Sequence, residues 1–302
     1  MEAAYEKSPQ IEPKKPKSMS PWAIARRKFL RNKLAMVSLI FLLFVALISI
    51  LAPLITHYDI TRVNLPDRNL PPSTEHFLGT DKSGRDIFTR LLFGGRISLL
   101  IGISCTFFVI LFGTIVGSIA GYFGGIVDNL LMRFTDFILT FPFLVFVIVL
   151  NAILFGKVSG VWVLIATISL LSWGGIARIV RSKILSEKEN EYVLAAVSIG
   201  CKPSKVIIKH LLPNVLSTII VQATLTFAGM IVAESGLSFL GFGVPADTPS
   251  WGNMLSYARE PDVLSSKPWM WLPPALAITF TILSINFIGE GIKDALNPKS
   301  RR

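Results

Sequence analysis

Long apolar runs separated by short polar interruptions dominate the pattern of this chain. Charge-free stretches occupy 34–58, 97–127, 137–156, 158–177, 211–233 and 268–289. A helix rises about 1.5 Å per residue and the hydrocarbon core of a bilayer is about 30 Å thick, so about 20 apolar residues suffice to cross it. Each stretch reaches that length, which predicts six spans. None shows the alternation of a transmembrane barrel strand, and backbone in lipid must satisfy its own hydrogen bonds in a helix or a closed barrel. The expected fold class is therefore all-α, a polytopic membrane protein with six transmembrane helices. The first run is longer than the apolar core of a cleaved signal, follows a long polar leader and is not trailed by an A-x-A site, so it is expected to remain as an anchor.

Composition sharpens this picture. The 302 residues are 52% hydrophobic and only 16% charged, against about 25% charged in soluble domains, and the mean hydropathy is +0.59. Orientation follows from Lys and Arg, which concentrate on the cytoplasmic side. With the N-terminus inside, the segments 1–33, 122–133, 178–210 and the C-terminal tail hold 21 of the 30 basic residues, while 57–96, Lys157 and 234–267 hold 9. Both termini are thus expected in the cytoplasm. The formal charge of +11 reads as a topology signal; a nucleic-acid surface would interleave basic residues with aromatics on a soluble face. The run WAIARRKFLRNK, 22–33, reads either as a basic amphipathic helix on the inner leaflet or as a charged stop before the first span.

The division predicted from these patterns has five parts. Residues 1–33 form a basic cytoplasmic segment, 34–56 the first anchor helix, 57–96 an extracellular linker, 97–290 the working transmembrane domain and 291–302 a cytoplasmic tail.

Catalytic chemistry finds no foothold. NAILFGKV, 151–158, mimics the end of a phosphate-binding loop, but Asn151 stands where the first glycine belongs, Val158 replaces the hydroxyl, and no strand precedes it. His57, His76 and His210 are far apart and form no zinc pattern. Ser238 lacks the spacing of a nucleophile elbow. Cys105, within a span, and Cys201, in a cytoplasmic loop, cannot pair. No catalytic residue, metal ligand or cofactor site is assigned to this chain.

Other positions invite structural readings. Gly113, Gly117 and Gly121 recur every fourth residue and form a small face on which another helix, from this chain or a second subunit, can approach closely. Arg133 and Asp136, three apart, are expected to pair across one helical face, with a role in the pathway as the alternative. Pro142 is expected to kink its span. The segment 234–255 mixes Gly236, Gly241, Gly243, Pro245 and Pro249 with Phe239, Leu240, Phe242 and Trp251, too broken for one helix and too apolar for a free loop, so it is expected to dip into or cover the outer face, as lid or as plug.

The loop 178–212 is the longest cytoplasmic excursion after the N-terminus. EYVLAAVSIG, 191–200, predicts a short helix with Val193, Ala196 and Val197 on its apolar face, ended by Gly200. Pro203 begins a second helix and Pro213 opens the next span. Ala195 and Ala196 leave room for another protein to approach. The pattern Ala195-Ala196, Gly200 and Leu212-Pro213 resembles the coupling signature of ABC transporter permeases. Here Leu194 stands where the usual glutamate precedes the alanines, with the acid at Glu191, and His210 replaces an isoleucine before Leu211 and Leu212-Pro213. HFLGTDKSGRDIFTRLLFGGRISLLIG (76–102), DNLLMRFTDFILTFP (128–142), LSFLGFGVPADTPSWGNML (237–255) and INFIGEGIKDALNPK (285–299) resemble the same group: the C-type inner permeases of dipeptide and oligopeptide ABC importers.

That resemblance implies a type I ABC importer permease fold with coupling helices at 187–213, in the bacterial cytoplasmic (inner) membrane. It implies a second homologous permease, two ABC ATPases that bind ATP and magnesium, and an extracellular lipoprotein or periplasmic binding protein that delivers peptide. It assigns Glu191, Ala195, Ala196, Gly200, Pro203, Leu212 and Pro213 to ATPase coupling. A nickel-complex importer uses near relatives of this permease and stays open as an alternative, as does, more distantly, an ion-coupled secondary transporter.

Overall fold

A computed structural model describes residues 21–154 and 160–296. Lys157, residues 1–20 of the basic leader and the tail from 297 lie outside the described residues. Two N-terminal helices come first: α1 (Pro21–Arg31) and α2 (Lys33–Ile50), with Asn32 accepting a hydrogen bond from the Ala35 amide at 3.1 Å to start the second. A turn at Leu51 leads to α3 (Ala52–Ile55). The helix that follows, α4 (Ile87–Phe123), has 37 residues, about 55 Å of rod.

Next come α5 (Gly125–Thr140) and α6 (Phe143–Leu154), then α7 (Gly160–Lys188), α8 (Glu191–Ser198) and α9 (Pro203–Val206). A π-type turn over Ile207–Leu211 carries α9 into α10 (Leu212–Leu240). The chain finishes with α11 (Trp251–Leu255), α12 (Pro261–Ser266) and α13 (Pro268–Leu296). Among the described residues five helical stretches are long and apolar enough to cross a membrane, and the bent pair α5 and α6 makes a sixth if counted as one span.

The structure corrects several predicted boundaries. α4 begins ten residues before 97, because Asp86 caps it: its carboxylate accepts from the Thr89 amide at 2.8 Å and hydroxyl at 2.7 Å. Charge-free length marks only the lipid-facing part of that helix. Residues 57–86 are no open linker either. They fold into a head around buried His76, Thr80, Asp81 and Asp86, with His76 Nδ1 2.9 Å from Asp86 and Arg85 Nε 2.8 Å from Asp81. The anchor helix α2 packs on α4 and α13 and so belongs to the bundle. At Phe141-Pro142 the predicted kink is a break, with α5 and α6 bent by 80°.

Packing holds α4 and α7 most intimately. A Cβ on Gly113 would lie 2.6 Å from Ile176, one on Gly117 2.5 Å from the Ala177 carbonyl, and one on Gly121 2.9 Å from the Arg181 carbonyl. The glycine stripe therefore serves a contact within this chain.

Candidate functional site

The loop between α7 and α10 forms a two-helix knob at the end of the bundle opposite the 57–86 head. Its inner side is built by Val193 and Val206, which are buried against Ile184, Leu211 and Val215. α8 ends in the hydrogen-bond pattern of a left-handed cap, with Gly200 N–H bonded to Val197 O (2.9 Å) and Cys201 N–H to Ala196 O (3.1 Å). Gly200 has φ +78°, and a Cβ there would meet nothing within 4 Å. Pro203 occupies the first turn of α9.

Polar contacts fix the knob to the bundle. The Tyr192 hydroxyl donates to Glu187 Oε2 (2.9 Å) and accepts from Asn214 Nδ2 (2.9 Å), which also donates to the His210 carbonyl (2.7 Å). Partial burial, then the hydrogen bond and charge of Glu187, push the Tyr192 phenol above its ordinary range, so it stays a neutral donor. Lys188 Nζ donates to the Tyr122 carbonyl at 2.6 Å and lies 5.5 Å from that ring. Tyr192 and Asn214 did not stand out in the sequence; the signal available was that Asn214 directly follows Leu212-Pro213.

The knob exposes large apolar side chains alongside Lys202, Lys205 and Lys209. Leu194, Val197, Ile199 and Ile208 are all exposed, Ile199 to 80%. Glu191, Ala195, Gly200, Pro203 and Pro213 are exposed beside them, and Leu212 is half-buried. Two expectations fail here. Ala196 is buried in the chain's own core, not offered for another protein to approach, while Val197 points outward, because an eight-residue helix lying on the bundle has only a narrow inward stripe. Pro213 does not open a new helix: α9 and α10 run on as one. The widened turn, in which the Leu212 amide bonds to Ile207 O, gives room for a proline that lacks the amide and would crowd a regular turn.

The predicted Arg133–Asp136 pair is also replaced. Asp136 bonds to Arg178 Nη2 at 2.5 Å, and two turns away Asp128 takes a bidentate pair from Arg181 at 2.5 Å. Both pairs tie α5 to α7, since Arg178 and Arg181 face α5 while Arg133 is exposed. At the other end of the bundle, Glu234 is wholly buried and receives bonds from Ser98 (2.9 Å), Ser238 (2.8 Å) and Ser235 (3.4 Å). The sequence assigned Glu234 to the outer segment because its charge ended the apolar window, yet α10 continues six residues further, to Leu240. The 234–255 stretch thus begins as helix, turns at Gly241 and packs back through α11, whose Trp251 amide donates to Ser98 Oγ at 3.2 Å.

A long-helix bundle with a broken span and an exposed two-helix knob is the architecture of a type I ABC importer permease. A chain of the MetNI methionine ABC transporter in inward-facing conformations superposes with TM-score 0.56 over 70% of this chain and 97% of that one, at 18% identity. Residues 113–302 match the family model described as binding-protein-dependent transport system inner membrane component, and 20–72 match the N-terminal TM domain of oligopeptide transport permease C. The dipeptide transport system permease protein of Bacillus subtilis is 41% identical over 98% of this chain and 92% of its own length. The oligopeptide transport system permease protein of Haemophilus influenzae is 42% identical over 97% and 93%. The chain belongs to the binding-protein-dependent transport system inner membrane component family, in its C-type peptide-permease branch.

Proposed function

We propose that this chain is one permease subunit of an ATP-driven importer that moves dipeptides or oligopeptides delivered by an extracellular binding protein. Peptide cargo, rather than a nickel complex, is supported by the dipeptide and oligopeptide names of its relatives. The knob end faces the cytoplasm, as the balance of basic residues supports, and the 57–86 head faces outward. A second homologous permease completes the pathway, and two ATPases carry ATP and magnesium.

The observation that carries the coupling role is the outer face of the knob. Four large apolar side chains are exposed on the same two-helix knob as Gly200, whose missing Cβ leaves open space in front of a turn that glycine makes freely. This patch fits a groove on an ATPase, with Glu191, Ala195 and Pro203 at its edge. Movement of a docked ATPase then reaches the bundle through defined contacts: Tyr192 and Asn214 to α10, Lys188 to the end of α4, and the two ion pairs from α7 to α5. The pathway switches because ATP-bound ATPases favour one arrangement of these helices over the other.

The test is uptake of labelled peptide by the complete complex in proteoliposomes. Uptake should need ATP and survive collapse of ion gradients. Uptake that ignores ATP and disappears with the gradient would overturn the reading.

A further inference from the structure

At the head end a cavity of about 760 Å³ opens between α6, the first turn of α7, the end of α10 and the 241–259 segment. Sites for small ligands run from roughly 300 to 1,000 Å³. Val163, Phe242, Val244 and Pro245 give it apolar walls, three guanidiniums line it (Arg85, Arg90 and Arg259), and among the described residues no acidic side chain does. We infer that this cavity receives the terminal carboxylate of the cargo peptide, with Arg259 as its cationic partner. The inference rests on the peptide-importer reading and names the group by which that importer takes hold of its cargo.

The three arginines are not equivalent. Asp81, fully buried, lies 2.8 Å from Arg85 Nε and 3.8 Å from Arg90 Nε. Arg90 also donates to the Ile60 carbonyl (2.9 Å) and the Ala246 carbonyl (3.3 Å), and Arg85 to the Tyr257 hydroxyl (3.0 Å). Those two are fixed parts of the wall. Arg259 reaches only the carbonyls of Ser256 (3.3 Å) and Leu240 (3.5 Å), and among the described residues it forms no ion pair. Asp81, with Asp247 acting on Arg90 at longer range, offsets two of the three charges, which leaves Arg259 to an incoming anion.

Guanidinium and carboxylate match in shape as well as charge, through two parallel hydrogen bonds. Linear peptides of different sequence share their termini and not their side chains. A carboxylate partner beside adaptable apolar walls therefore holds many cargoes without reading their sequence.

The test uses the complete complex, with its binding protein saturated by dialanine or trialanine, or by the C-terminal amides of the same peptides. Arg259→Gln should slow uptake of the free acids by at least about tenfold, the scale of one charge-assisted bond, and leave uptake of the amides unchanged. Arg259→Lys should recover part of the loss. Equal slowing of acids and amides would overturn the proposal in favour of a structural role or a contact with an acidic side chain of the binding protein. An unaltered rate for the acids would also overturn it. Wild-type complex that imports none of these peptides would instead overturn the peptide-importer reading beneath it.

Discussion

Gly200 shows how much one residue can carry in this chain. Its φ of +78° lies where a side chain costs about 1–2 kcal/mol, and among the described residues nothing occupies the space a Cβ would enter. Gly200→Asp should therefore insert and fold at a cost of no more than about 1–2 kcal/mol, while peptide uptake by the complex falls to background and ATP hydrolysis no longer responds to the binding protein. Proteoliposomes read both; full coupling in this variant would remove the docking role. Tyr192→Phe deletes a donor to Glu187 and an acceptor for Asn214 at a partly exposed site. It should cost about 1 kcal/mol and lower the uptake obtained per ATP hydrolysed, with Asn214→Ala giving the same sign.

At the scale of elements, the α4–α7 pair and the α5–α7 pair have opposite chemistry. The first is held by backbone proximity. Gly117→Ala places a methyl 2.5 Å from the Ala177 carbonyl and should destabilise by roughly 1–3 kcal/mol, seen as a lower melting temperature in detergent. Gly175→Ala, on α7 with nothing within 4 Å, should be neutral or slightly stabilising. The α5–α7 pair is held by Asp128–Arg181 and Asp136–Arg178. Asp128→Asn should cost more than Asp136→Asn, because Asp128 is 15% exposed and Asp136 54%, although each partly solvated pair is worth only about 1 kcal/mol. Thermal melts of both variants decide the order.

Legibility divides along the same lines. Five of the predicted spans fall on long helices and the one at 137–156 falls on the bent pair α5 and α6, since apolar length is a local property, and the glycine stripe and the Gly200 stop follow from local backbone requirements. Partner choice is not local. Nothing in the spacing of Arg133 and Asp136 reveals that Arg178, more than forty residues later, takes the carboxylate. Nor does a lone acid such as Glu234 announce that serines from α4 and its own helix will enclose it. Ends of helices misled where a charge ended the apolar window while the helix continued, as at Arg96 and Glu234.

For the molecule as a whole, the division of labour is spatial. One end presents a knob with exposed apolar side chains, the other a folded head with a basic cavity, and the bundle between them contains a span broken by 80° at Phe141-Pro142. Such a break lets α5 and α6, which both pack on α7, lie at different angles to it, so that a push on the knob need not be carried straight through this span to the far end. Pro142→Ala, by making a continuous helix more favourable, should reduce uptake while preserving complex assembly, which co-purification of all subunits would verify.

The length of α4 imposes a constraint on the surroundings. A rod of about 55 Å fits wholly within about 30 Å of hydrocarbon only at a tilt near 60°, well beyond the roughly 40° that membrane helices reach. Some turns must therefore stand in water, and Asp86 with its folded neighbours crowns them. The height of that crown above the lipid is set by backbone hydrogen bonds instead of by a slack tether. Removing four residues from the emergent turns would lower it by about 6 Å and leave it rotated by a net angle of about 40°, misaligning whatever alights there even if every surface residue were kept.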